Sequence, residues 1–140
     1  MSENSAEIDK GRTEEIKRQF TAIYNSDEAK ELSVSYMQEQ GELERSWARM
    51  ASALNFKKNG WQFMFQHYAP KNITKMTRYP ILENGKTGVK GAITINLGET
   101  ITGEEYMSDS PDDDPKHLSS QESIEKAEEI LTSYASAKPN

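Results

Sequence analysis

The sequence predicts an α+β domain: a three-stranded antiparallel meander covered on one face by helices, in the order α-α-β-β-β-α. Three observations carry this expectation. Apolar residues recur at helical spacing before residue 56 and after residue 119. Between residues 61 and 97 the period changes to two. The alternating runs are separated by short turn signals, which favours antiparallel neighbours. A chain of 140 residues suits one domain with a modest core.

Residues 1–7 carry no apolar pattern and are expected to be a disordered N-terminus, with a single domain over 8–137 and a tail at 138–140. Ile8, Ile16, Phe20, Ile23 and Tyr24 fall on one helical face. Asn25 and Glu28 have the spacing of a capping box, which starts a second helix. Leu32, Tyr36, Leu43, Trp47, Met50 and Leu54 continue one stripe, interrupted by Gly41. Residues 27–56 therefore read as one long helix or as two, with the clearer pattern from Glu42 to Phe56. Asn59-Gly60 ends this helix, because glycine readily takes the left-handed conformation after a last turn.

Trp61, Phe63, Phe65 and His67 then alternate with Gln62, Met64, Gln66 and Tyr68, as in a strand. Pro70-Lys71-Asn72 turns the chain into a second strand, Ile73 to Tyr79. After the turn signal Glu83-Asn84-Gly85-Lys86, a third strand runs from Val89 to Leu97. From Glu99 to Pro115 there are seven acids and no base, and an acidic flexible loop is expected over 99–116. Ser119 with Glu122 forms a second capping box, and Ile124, Ala127, Leu131, Tyr134 and Ala135 make one face of a final helix.

Composition removes several classes of chemistry. Without cysteine there are no disulfides, thiolate nucleophiles or cysteine-ligated metals. Met1-Ser2-Glu3-Asn4-Ser5 has neither the basic nor the apolar region of a leader, and no apolar run approaches a membrane span. A cytoplasmic protein without a membrane partner is expected. Catalysis is not expected. The histidines are His67, set in a strand, and His117; no nucleophile elbow, Walker-type loop or His-x-x-x-His pair occurs. Gly85, Gly88 and Gly91 precede a strand, whereas a phosphate loop needs a helix N-terminus after it. Asp109, Asp112, Asp113, Asp114 and His117 lack the ligand spacing of an EF-hand, so no metal and no cofactor is expected.

Charge distribution points to a binding surface. Residues 57–90 carry Lys57, Lys58, Lys71, Lys75, Arg78, Lys86 and Lys90 against the single acid Glu83, a net +6 inside a chain of net −6. Such a patch attracts anionic partners. If Trp61, Phe63, Phe65, Ile93, Ile95 and Leu97 face the helices, the opposite face shows Gln62, Met64, Gln66, Tyr68, Lys90, Thr94 and Asn96. The middle strand adds either Lys75, Thr77 and Tyr79 or Thr74, Met76 and Arg78. The seven basic residues, with Tyr68 and Tyr79 as stacking groups, are the expected site for single-stranded or irregular nucleic acid. The alternative is a protein–protein module, an adaptor or inhibitor docking an acidic protein surface. An exposed part of the Tyr36–Trp47–Met50 stripe would also suit a homodimer. The acidic loop either solubilises the chain or folds back to shield the basic face.

The order helix, three strands, helix is similar to that of double-stranded-RNA-binding domains. Those domains place a lysine cluster at the start of their last helix, where this chain reads Ser119-Ser120-Gln121-Glu122-Ser123. The resemblance is one of topology and transfers no residue.

Overall fold

The computed structural model describes residues 2–40, 53–110 and 112–136. Helices α1 (Ser2–Tyr24) and α2 (Asp27–Gln40) precede six strands, and helix α3 (Ser120–Ala135) follows them. The strands are β1 (Ala53–Lys58), β2 (Trp61–Tyr68), β3 (Ile73–Pro80), β4 (Ile93–Leu97), β5 (Ile101–Glu105) and β6 (Lys116–His117). Each pairs antiparallel with the next, giving the sheet order β1-β2-β3-β4-β5-β6. No described helix is long and apolar enough to cross a membrane.

The class is the expected α+β, but the meander has six strands, which also departs from the three-strand order of double-stranded-RNA-binding domains. Residues 53–58 form β1 and do not end a helix. Asn59 and Gly60 both have positive φ, 54° and 84°, as the two central residues of a type I′ hairpin turn require. They join Lys58 to Trp61 in register. The Asn-Gly signal is thus a hairpin and not a helix stop; both uses draw on the same left-handed backbone. The expected acidic loop at 99–116 contains β5 and ends on the first residue of β6. The third expected strand starts later, at Ile93. Gly91 N donates instead to Tyr106 O at 2.7 Å, and Tyr106 N to Ala92 O at 2.9 Å. Helix α1 starts at Ser2, ahead of the expected Ile8. Helix α2 is capped by Ser26, whose Oγ accepts from Ala29 N at 3.1 Å, one residue after the expected Asn25. The Leu43, Trp47 and Met50 stripe and the 138–140 tail lie outside the described residues.

One sheet face carries Phe56, Phe63, Phe65, Met76, Ile93 and Ile95, all buried. Ile16 and Phe20 of α1 and Ile124, Ala127, Ile130 and Leu131 of α3 pack on it. Side chains of this kind each stabilise the fold by about 1.5–3 kcal/mol when fully buried. Helix α3 approaches closely over β5 because Gly103 has no side chain: a Cβ there would lie 2.7 Å from Ile95 Cδ1 and 3.2 Å from Ser123 Oγ. The capping box at the head of α3 forms as expected, with Ser119 Oγ accepting from Glu122 N at 3.1 Å and Glu122 Oε1 accepting from Ser119 N at 3.2 Å. At its other end, Asn59 Nδ2 donates to Tyr134 O at 2.9 Å. The Arg12 guanidinium forks onto Glu128 at 2.9 and 2.5 Å and ties α1 to α3. Helix α2 covers the outer edge of β1: Ser33 Oγ accepts from Asn55 N at 3.0 Å, which removes a free strand donor.

Candidate binding face

Side chains alternate across a sheet, so burying the phenylalanines under α1 and α3 commits their neighbours to the other face. Gln62, Met64, Gln66 and Tyr68 of β2 lie there, with Lys75, Thr77 and Tyr79 of β3 and Thr94 and Asn96 of β4. Helices α1 and α3 lie on the other side, yet this face is covered in part: Tyr36 of α2 reaches over it, and Gln62 and Thr77 on it are 5 % and 2 % exposed. The face is polar, and its deepest groups are satisfied. Gln62 donates from Nε2 to Tyr36 Oη at 2.8 Å and accepts from Thr87 Oγ1. One amide thereby ties α2 to the loop between β3 and β4. The Thr77 and Thr94 hydroxyls meet across the strands at 3.2 Å.

The nine expected site residues separate into two groups. Arg78 is 5 % exposed and points into the helix face. Its guanidinium carbon lies 3.8 Å from the Trp61 ring centroid, Nη1 donates to Ser133 Oγ at 2.7 Å, and Nη2 lies 3.7 Å from Glu129. Burial, only partly offset by Glu129, pushes its pKa down from the usual arginine value. Lys58 is also on the helix side, with Nζ 2.5 Å from Glu28 and 3.8 Å over the Tyr134 ring. Arg78 is thus an internal cation and Lys58 a half-buried one paired at the surface; both lie on the helix side, away from the expected anion site. Glu28 shares its Oε1 with Tyr134 Oη at 2.7 Å. Burial and this bond push the Tyr134 phenol up to about 12, while the Lys58 and Tyr134 contacts hold Glu28 below the usual carboxylate range.

Lys57, Lys71, Lys75, Lys86 and Lys90 form the second group. Lys57 Nζ lies 5.9 Å over the Tyr36 ring and 3.3 Å from Gly85 O. Lys75 stands on the open face between Gln66 and Asn96. Lys86 and Lys90 are exposed on the β3–β4 loop, and Lys71 is exposed in the short 3₁₀ turn Ala69–Lys71 at the opposite end of the sheet. None of these five makes an ion pair among the described residues. In contrast, every lysine or arginine ion pair among those residues takes its carboxylate from a helix: Glu128, Glu15, Glu28, Glu129 or Glu122.

The two tyrosines also differ from expectation. Tyr79 is half-buried near Tyr36 and Tyr106, and burial pushes its phenol upward, so it belongs more to the packing of the face than to its display. Tyr68 is half-buried at the end of β2. The acidic segment does fold back, but onto backbone: Asp109 Oδ1 accepts from Lys90 N at 2.8 Å. Among the described residues it makes no ion pair with any of the five lysines. Among the described residues no group of three or more His, Asp or Glu is placed to hold a metal ion. Sequence reasoning missed Tyr36, Thr87 and Tyr106 as parts of this face. The available signal was Gln62, a polar residue set between Trp61 and Phe63 that has to find partners wherever that strand is covered. No protein-family model matches this chain, and comparison with curated proteins and with solved structures gives no match.

Proposed function

We propose that this chain is a non-catalytic, cytoplasmic binding protein that receives single-stranded or irregular nucleic acid on its open sheet face. The observation that carries this reading is the set Lys57, Lys71, Lys75, Lys86 and Lys90, which have no carboxylate partner among the described residues, while the helix-side cations have them. Lysines distributed from one end of the face to the other suit a phosphate backbone laid across it. Between them Asn96 offers hydrogen bonds to bases, and Tyr68 offers a ring; a base–aromatic stack contributes on the order of 1–3 kcal/mol. Fluorescence anisotropy with labelled single-stranded oligonucleotides tests the reading. Affinity is expected to fall steeply with salt, by about 0.7 in log–log slope for each phosphate neutralised. Absence of binding at low salt sinks it.

A second reading, docking of an acidic protein, is favoured by one observation. Leu82, Val89 and Met107 are 47 %, 40 % and 54 % exposed near Lys86 and Lys90. Apolar side chains beside lysines suit an acidic protein surface with apolar anchors more than a phosphate chain. Replacing Leu82 and Val89 by serine weakens a protein partner and leaves oligonucleotide affinity unchanged.

A further inference from the structure

The end of the sheet remote from the β3–β4 loop holds a different feature, on the helix side. The last turns of α1, the end of β2, the start of β3 and the β4–β5 turn enclose a cleft of about 550 Å³. Clefts of this size accommodate small molecules. Its floor is aromatic: Phe20 stacks on Tyr24 with centroids 5.7 Å apart and on Phe65 at 5.3 Å. His67 forms a wall, edge-on to Tyr24 at 6.0 Å, with Nδ1 fixed 3.0 Å from Thr74 Oγ1. The cleft adjoins a second hollow of about 380 Å³ along α1, and Lys17 and Glu99 line both, so they mark the neck between them. Lys17 comes from α1 and Glu99 from the β4–β5 turn. Neither makes an ion pair among the described residues.

A cation and an anion with no ion-pair partner among the described residues, at the mouth of an aromatic pocket, define a ligand by its charges. An anionic ligand gains Lys17 but is repelled by Glu99; a cationic one meets the reverse. A molecule carrying both signs on adjacent atoms satisfies both. We infer that this cleft binds a free aromatic α-amino acid, with its carboxylate at Lys17, its ammonium at Glu99 and its ring on the Phe20–Tyr24 floor. Offset or edge-to-face ring contact with that floor and with His67 gives the aromatic preference. The site lies on the opposite side of the sheet from the open face and does not depend on what that face binds.

The test is a calorimetric and amide-NMR titration of the full chain with L-phenylalanine, L-tryptophan, L-leucine, 3-phenylpropionate and phenethylamine. The aromatic amino acids are expected to bind at least about tenfold more tightly than either singly charged analogue and than L-leucine, with shifts over residues 17–25 and 97–99. Glu99→Gln is expected to weaken L-phenylalanine about tenfold and to spare or improve 3-phenylpropionate; Lys17→Met should do the mirror image with phenethylamine. These side chains sit at the rim of the core, so circular dichroism is expected to show both variants folded. Equal affinity for L-phenylalanine and 3-phenylpropionate overturns the role of Glu99, and equal affinity for L-leucine overturns the aromatic selection. No shift at millimolar ligand overturns the site.

Discussion

Arg78 and Lys75 lie three residues apart on β3 and have opposite fates. Arg78 lies over the Trp61 ring and ends at Ser133 and Glu129 of α3. Lys75 stands between Gln66 and Asn96 on the other side of the sheet, with no carboxylate partner among the described residues. The same contrast extends over the molecule. On the helix side, Arg12, Lys58 and Arg78 are met by glutamates of α2 and α3, and those pairs join one element to another. On the open side, polar groups are satisfied by one another, as in the Tyr36–Gln62–Thr87 chain, and the lysines are left over. For the strand residues Lys57, Lys58, Lys75 and Arg78, parity therefore decides which side of the sheet the charge serves.

The largest effects are expected in the core. Phe65→Ala is expected to reduce stability by about 3–5 kcal/mol in denaturant unfolding, while Lys75→Gln on the open face is expected to change it by less than about 0.5 kcal/mol. A comparable loss at Lys75 shows a covered face and ends the distinction. Next in size is Gly103→Val, which forces atoms into Ile95, Leu118 and Ser123; overpacking of this kind costs about 1–3 kcal/mol. Thermal unfolding measures it.

Arg78→Met sharpens the contrast. Arg78 is buried, but its Nε has no partner and its ion pair is long, so its desolvation is poorly repaid. The apolar replacement is expected to change stability by less than about 1 kcal/mol and to leave oligonucleotide affinity unaltered. Lys57→Gln, Lys75→Gln and Lys90→Gln are each expected to weaken binding and to lower its salt slope by about 0.7.

The smallest effect concerns pH. Arg12 holds Glu128, and Lys58 holds Glu28, below the usual carboxylate value of 4.5. A depressed folded-state pKa gives stability that is fully present above that value and is lost as pH falls through the lower folded one. Glu128→Gln should therefore lower stability at neutral pH and flatten its acid limb; parallel wild-type and variant curves below pH 4.5 contradict the assignment.

Local signals were legible in the sequence. The helical period through Ile16 and Phe20, the Ser119 capping box and the alternation of Trp61 to Tyr68 each follow from neighbouring residues. Strand β1 was not, because Leu54 fits a helical stripe continued from Leu32 as readily as it fits alternation; only pairing across the Asn59-Gly60 turn selects the strand. Strand β5 was hidden for a different reason. Ile-Thr-Gly-Glu-Glu carries two acids and one large apolar residue, and its burial is supplied by α3 from a distant part of the chain. At the site, the charge asymmetry located the open-face lysines, but it also counted Arg78 and Lys58. Their removal rests on Glu129 and Glu28, partners far away in sequence. The cleft at His67 was invisible because Lys17, His67 and Glu99 come from three separate elements.

The Asn59 amide adds a chronology to this architecture. The β1–β2 hairpin closes through neighbours only, whereas the carbonyl it caps belongs to Tyr134, 75 residues later. During synthesis from the N-terminus, a turn finished early holds out a donor for a helix not yet made. Asn59→Gly keeps a residue that accepts the left-handed backbone and deletes the donor. Its expected signature is kinetic: faster unfolding with refolding almost unchanged, as for an interaction formed after the transition state. The hairpin is then the seed of the domain and the docking of α3 its closing event.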